Sequence, residues 1–237
     1  MEPTLRGLPR SAKARPQQLS EGVATYVREL IISGQVRPGD YLRTEAVGEA
    51  VGVSNTPVRE GLLMLSGEGF VEFVPRRGFM VSAFSRQDVR DLFWVQASLA
   101  GVLAGRAAKL ISYDQLVHLS ELVVEHTAAA ESGNDPDRVL ELGHEFHRTI
   151  NIAADSHRLA SVLASVVKQL PNRFYGKIEG HHEGTLHDHP AILEALQKHQ
   201  ARQASTLMRN HIMSGADELI AMLEKQGMWS DRERSTA

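Results

Sequence analysis

GVSNTPVREGLLMLSGEGFVEF, residues Gly52–Phe73, changes character twice in 22 residues. Gly52 closes one amphipathic run, and Ser54 or Asn55 can cap the next as a helix. Pro57 suits a first helical turn because its missing N–H has no partner to lose there. Val58, Leu62, Leu63 and Leu65 then supply an apolar helical face. After SGEG, Phe70, Phe73 and Val74 adopt the period of a strand, and Phe79, Met80 and Val81 repeat it beyond PRRG. The pattern predicts a two-stranded hairpin whose tip carries Arg76, Arg77 and Gly78.

Working upstream, Leu19, Val23, Tyr26, Val27, Leu30 and Ile31 recur at helical spacing over 17–32, and Gly34 ends the run. RPGDYL reads as a turn, after which Thr44 caps a short helix holding Val47, Ala50 and Val51. Helix, short helix, turn, helix and hairpin make a winged helix-turn-helix. In that motif the second helix enters the DNA major groove with its leading residues toward the base edges. Those residues here are Ser54, Asn55, Thr56 and Arg59. Arg bonds guanine in bidentate fashion, Asn does the same for adenine, and Ser or Thr contacts base or phosphate. Arg43, just ahead of the short helix, and Arg76, Arg77 and Gly78 on the wing complete the expected DNA-binding set. Each has a plainer explanation, since Ser and Thr cap helices without DNA and an exposed Arg is often only solvated; their joint order carries the weight.

Working downstream, SAFSRQDV reads as a linker, and the chain is helical nearly throughout to about Leu223. Segments are expected near 86–109, 112–131, 136–153, 156–178, 190–199 and 201–225. With no repeat and no heptad pattern, they predict an antiparallel helical bundle. The fold class is therefore mostly α. The expected organisation is a basic arm at 1–16, a winged helix-turn-helix at 17–84, a helical domain at 85–226 and a tail at 227–237.

Composition narrows the chemistry. The 237 residues contain no Cys, which excludes disulfides, thiolate metal sites and Cys nucleophiles, and leaves His and carboxylates as the strong metal ligands. No apolar run is long enough to span a bilayer and the first residues lack the apolar centre of a signal peptide, so a cytoplasmic protein with no membrane partner is expected. The net charge of −3 is uneven: residues 1–84 carry ten Lys/Arg against nine Asp/Glu, and the remainder is acidic. Arg6, Arg10, Lys13 and Arg15 could follow a phosphate backbone, although charge alone does not establish nucleic-acid binding.

Eleven His remain to be explained. His147, His189 and His211 each lie beside apolar residues on separate predicted helices, where an unsatisfied imidazole is costly. They read either as satisfied core histidines or as three ligands converging on a divalent ion. His181, His182 and His187 lie in the Gly-rich stretch GKIEGHHEGTLHD, which reads as a solvated loop.

ELIISGQVRPGDYL and VSNTPVREGLLMLSGEGFVEFVPRRGFMV, with their spacing, resemble the N-terminal domain of GntR-family transcription regulators. The helical remainder resembles the FCD ligand-binding domain of the FadR-like subgroup, and the likeness covers residues 17–225. It implies a transcription regulator, not an enzyme: a homodimer on a pseudo-palindromic operator, more often a repressor, answering to a small effector. Thr56, Arg59 and Gly78 match the family, whereas Asn55 stands where Arg is common and Ala46 where a basic residue is frequent. An altered operator base at the Asn55 contact is therefore expected.

The resemblance also implies a metal held by Asp and three His, at positions matched by His147, His189 and His211. The Asp position falls on Gly143, which offers no side chain. Four residues back from His147 lies about 40° around a helix and three back about 60° the other way, so His144 could substitute, as could Asn151 four residues on. With no carboxylate ligand, Zn²⁺ or Ni²⁺ is favoured over harder ions. FCD domains usually take a small carboxylate on the metal, assisted by an Arg; Gln96 stands at that Arg position and Ala100 where an acidic residue is common. Gln96 and Arg173 are the expected effector-binding residues, for an organic acid less acidic than usual. Two rival readings are a His-rich helical metalloenzyme with a DNA-binding appendage and a DNA-binding dimer with an empty pocket. Against the enzyme, Glu145 lies about 160° around the helix from His147, leaving no clear general base.

Overall fold

The computed structural model describes residues 16–170, 183–225 and 227–229. The elements in chain order are α1 (Pro16–Ile32), β1 (Tyr41–Leu42), α2 (Thr44–Val51), α3 (Asn55–Gly67), β2 (Val71–Val74), β3 (Gly78–Val81), α4 (Arg86–Leu110), α5 (Tyr113–Ser132), α6 (Pro136–Ala153), α7 (His157–Val167), α8 (Glu183–Gln197) and α9 (Ala201–Lys225). The chain is mostly helical, with a winged helix-turn-helix followed by a helical domain. It divides into two compact units, one ending at Ser85 and rejoined from Leu223 onward, the other Arg86–Met222.

In the first unit α1, α2 and α3 bury Val23, Val27, Ile31, Val58, Leu62 and Leu65 against one another. Gly61 lets α1 and α3 approach closely: a Cβ there would lie 2.7 Å from the Ser20 carbonyl oxygen. The turn between α2 and α3 is opened by Gly52 at φ 77°, whose N–H donates to the Gly48 carbonyl. The wing is a three-stranded antiparallel sheet in the order β1-β3-β2, with Tyr41 opposite Met80 and Phe73 opposite Phe79. This corrects RPGDYL as a simple turn: Tyr41 and Leu42 form a strand, because a two-residue element shows no period and is defined only by its partner β3. The expected caps also shift. Arg43 occupies the N-cap of α2, with Thr44 the first helical residue, and Ser54 is the N-cap of α3 without a side-chain cap bond.

The same unit gathers the end of the chain. Leu223 is fully buried, and Gly227 at φ 77° ends α9 in a Schellman turn, its N–H donating to Glu224 O and that of Met228 to Leu223 O. Trp229 then donates its indole N–H to the Phe84 carbonyl at 2.6 Å, while the Phe84 ring stacks on Phe70.

The second unit packs α4 to α9 around Leu103, Leu119, Leu142, Phe146, Ile150, Ile192, Leu196 and Met208. Ser112 and Gln115 form a reciprocal capping box at the start of α5, and Asp135 caps α6 ahead of Pro136. Two helix limits differ from expectation. α7 ends at Val167, and α8 begins at Glu183, seven residues before the Pro190 taken as its opening. Pro at a helix start is only a preference; here the helix continues through it and carries His187, expected in a loop, as an exposed helical residue.

Candidate DNA reader and histidine centre

The start of α3 presents Ser54, Asn55, Thr56 and Arg59 to solvent while Pro57, Val58 and Leu62 are buried behind them. This split follows from the helical period, which sends Val58, Leu62 and Leu65 inward and leaves the leading polar residues outside. α3 is tied to α1 at its middle and at its C-terminal end. Ser20 of α1 donates its hydroxyl to Glu60, and the buried Arg28 of α1 bonds Glu68, at the C-cap, through Nη2 at 2.6 Å and Nε at 3.2 Å. Arg43 is exposed at the head of α2.

On the wing, Arg76 holds the tip in the left-handed region at φ 65°, and both Arg76 and Arg77 are exposed. Arg77 donates through Nη1 to the Tyr41 hydroxyl at 3.2 Å, and its guanidinium carbon lies 5.7 Å from the Tyr41 ring centroid. That hydrogen bond raises the Arg77 pKa above the usual arginine value. Tyr41 is missing from the sequence reading because only the β1–β3 pairing, across nearly forty residues, brings it to Arg77.

In the second unit α6 supplies His147, α8 His189 and α9 His211. One nitrogen of each lies within 4.8 Å of the other two. The His147 and His211 Nε2 atoms face each other at 3.2 Å, and ring centroids within the trio are 4.9 to 5.3 Å apart. His189 and His211 are buried and His147 is half-buried, so a site here is sheltered from bulk water. Phe146 stacks on His189 at 4.3 Å, and the buried His126 of α5 lies 5.0 Å from the same ring. Asp188 Oδ2 accepts from His211 Nδ1 at 3.1 Å. Sequence reading passed over both: His126 is a lone His on an apolar helix, and Asp188 is masked by its ligand-like neighbour His189.

The donor set fits a divalent ion of borderline softness: three imidazoles from three helices, one nitrogen of each within 4.8 Å of the other two. Gly143 is buried and contributes nothing but backbone. The alternative donor His144 lies on the exposed side of α6 and is not among the three residues whose nitrogens converge. Asn151 is half-buried on α6. Glu145 bonds Arg148 and faces His118, away from the trio. Gln96 is buried on α4, at 2% exposure. Arg173, His181 and His182 lie outside the described residues.

A winged reader followed by a helical domain is the build of a DNA-binding transcription regulator, and comparison with known proteins agrees. Residues 19–81 match the model of the gntR family of bacterial regulatory proteins, and residues 91–214 match the FCD domain. The chain belongs to the GntR family and carries an FCD domain, in the FadR-like arrangement. It is 23% identical to the HTH-type transcriptional repressor RspR of Escherichia coli (strain K12), over 92% of this chain and 96% of that one. It is 26% identical to the Glc operon transcriptional activator of the same strain, over 80% of each chain. Among solved structures it resembles E. coli McbR/YncC with a TM-score of 0.60 at 20% identity, covering 88% of this chain and 98% of that one. The matching family model and both sequence relatives are transcription regulators, which favours the regulator over the enzyme reading. Among the described residues no helix is long and apolar enough to cross a membrane.

Proposed function

We propose that the chain is a cytoplasmic, homodimeric repressor whose hold on a pseudo-palindromic operator is set by an organic acid bound at a Zn²⁺ or Ni²⁺ centre. In this reading residues 17–84 are the reader and 85–226 the sensing and dimerising domain. The observation that carries it is the convergence of His147, His189 and His211 within a domain joined to a DNA reader.

The reader works as follows. Asn55, Thr56 and Arg59 address base edges, with Ser54 and Arg43 beside them at the phosphates. The wing brings Arg76 and Arg77 to the backbone, and Gly78, without a side chain, permits close approach. Two readers per dimer match a two-fold operator, and one such module covers too little DNA for tight specific binding.

In the sensor, His147, His189 and His211 would hold the ion, with Asn151 beside them on α6. The ion supplies open coordination positions to an anionic oxygen ligand. Gln96 and Arg173 would grip the rest of the effector, and Gln96, as an uncharged donor, suits a weaker acid than a guanidinium would. The effector shifts operator binding only to the extent that it prefers one of two states of the protein.

The test begins with an operator obtained by genomic binding selection. Fluorescence anisotropy then measures affinity for the metal-stripped protein, the Zn²⁺- or Ni²⁺-loaded protein, and loaded protein with a panel of hydroxy, keto and amino acids. At least one acid is expected to change operator affinity by 5- to 150-fold, roughly the usual span of allosteric coupling, and His211→Ala is expected to abolish the response while leaving sequence preference intact. Affinity indifferent to both metals and every acid would overturn the reading.

A further inference from the structure

The trio poses an electrostatic problem. Three neutral imidazoles around a divalent ion leave its full charge in a bundle interior, where uncompensated charge is expensive, and the position at which the resemblance expects a carboxylate is a buried glycine, Gly143. We infer that Asp188 is the carboxylate of this centre, working through His211 rather than on the ion, as the positioning residue that sets the His211 tautomer and balances the ion's charge. The inference rests on the reading of the trio as a metal site.

Asp188 Oδ2 lies 3.1 Å from His211 Nδ1, and the opposite nitrogen of the same ring, Nε2, faces His147 Nε2 at 3.2 Å. A carboxylate accepts only, so the bond holds the His211 proton on Nδ1 and leaves the Nε2 lone pair directed into the trio. An imidazole bonded to a carboxylate is also the more basic ligand. Without Asp188 the neutral His211 ring would divide between two tautomers, one of which turns a proton toward the ion.

The placement separates this role from that of a simple strut between α8 and α9. Asp188 and His189 are consecutive on α8 and diverge by about 100° around its axis, so one helical turn contributes a ligand directly and orients a second ligand on another helix. The burial is also graded. The His211 side chain is 5% exposed and that of Asp188 35%, so the carboxylate keeps part of its hydration and escapes most of the desolvation cost of an inner-layer acid. With the carboxylate outside the coordination sphere, the position that an aspartate at 143 would occupy stays open to an oxygen ligand. The sequence sign is the pair Asp188–His189, in which the second residue drew the attention and the first holds a partner 23 residues away.

Isothermal titration of Zn²⁺ into the metal-stripped full chain tests this, with Asp188→Asn, Asp188→Ala, Asp188→Glu and His211→Ala compared with the unaltered protein, each checked by thermal melting without metal. Asp188→Asn keeps an oxygen that can still accept from His211 Nδ1, but removes the charge and, through its amide NH2, the acceptor-only restriction. The expected results are a loss of about 10- to 100-fold in Zn²⁺ affinity for Asp188→Asn and at least that for Asp188→Ala. Asp188→Glu should recover most of it, and the metal-free melting temperature of Asp188→Asn should not change. The Co²⁺ visible spectrum of Asp188→Asn should change in band position, as expected when His211 is no longer oriented by a carboxylate. Unchanged Zn²⁺ affinity in Asp188→Asn and Asp188→Ala, with binding lost in His211→Ala, would overturn the role of Asp188 and leave the trio standing. A lowered metal-free melting temperature with unchanged Zn²⁺ affinity would reduce Asp188 to a strut and equally overturn it. Unchanged binding in His211→Ala would instead remove the metal reading itself.

Discussion

Replacing Glu68 by Ala is expected to loosen the whole DNA-reading unit, although Glu68 touches no DNA in the arrangement proposed. Its carboxylate receives two bonds from Arg28, whose side chain is 5% exposed, while that of Glu68 is 21% exposed. The Arg28 guanidinium also lies 5.7 Å from the Phe70 ring. Removing one partner of a buried pair leaves an uncompensated charge and costs about 3–5 kcal/mol. The opening at Glu68 lets water reach the orphaned guanidinium, which places the expected cost near the lower end, about 3 kcal/mol. Replacing both, as Arg28→Met with Glu68→Leu, removes the orphan as well and is expected to cost only about 1 kcal/mol or less. Hydrogen exchange on the full chain suits the measurement, because amides of α1 and α3 report their own unit even where the two units unfold separately. A cost of about 3 kcal/mol lowers protection of the Val23–Val27 amides by roughly 100-fold, and the double replacement should restore most of it. Protection within about twofold of wild type in Glu68→Ala, or a double replacement as damaging as the single ones added together, would refute the reasoning.

Two further outcomes follow from single positions. Gly61→Ala forces a Cβ to 2.7 Å from the Ser20 oxygen and 2.9 Å from a Val23 methyl, and should destabilise the reader by about 1–3 kcal/mol; Gly67→Ala, with nothing within 4 Å, should instead be neutral or stabilising by up to about 1 kcal/mol, both read by the same exchange experiment. Asn55→Arg should move preference at one operator position from adenine toward guanine by about 1–3 kcal/mol in a binding selection, and an unchanged preference would show that Asn55 is not a base reader.

The sequence by itself determined the reader. Its information is local: Gly52, the cap at Ser54, Pro57, the apolar face of α3 and the switch to period two at Phe70 all act within a few residues, so the order of elements and the exposed set Ser54, Asn55, Thr56 and Arg59 can be read along the chain. The trio could be nominated but not assembled, because His147, His189 and His211 lie on three helices and helical period says which face a residue occupies, not which neighbour that face meets. The groups that depend on a distant partner could not be matched to that partner in one dimension. Tyr41 becomes a strand residue and the support of Arg77 only when β3 pairs with it, Trp229 finds Phe84 across most of the chain, and Asp188 acquires a role only because α9 turns His211 Nδ1 toward it. Tertiary packing brings those partners together, since hydrogen bonds depend on angstrom distances that spacing along a chain does not encode.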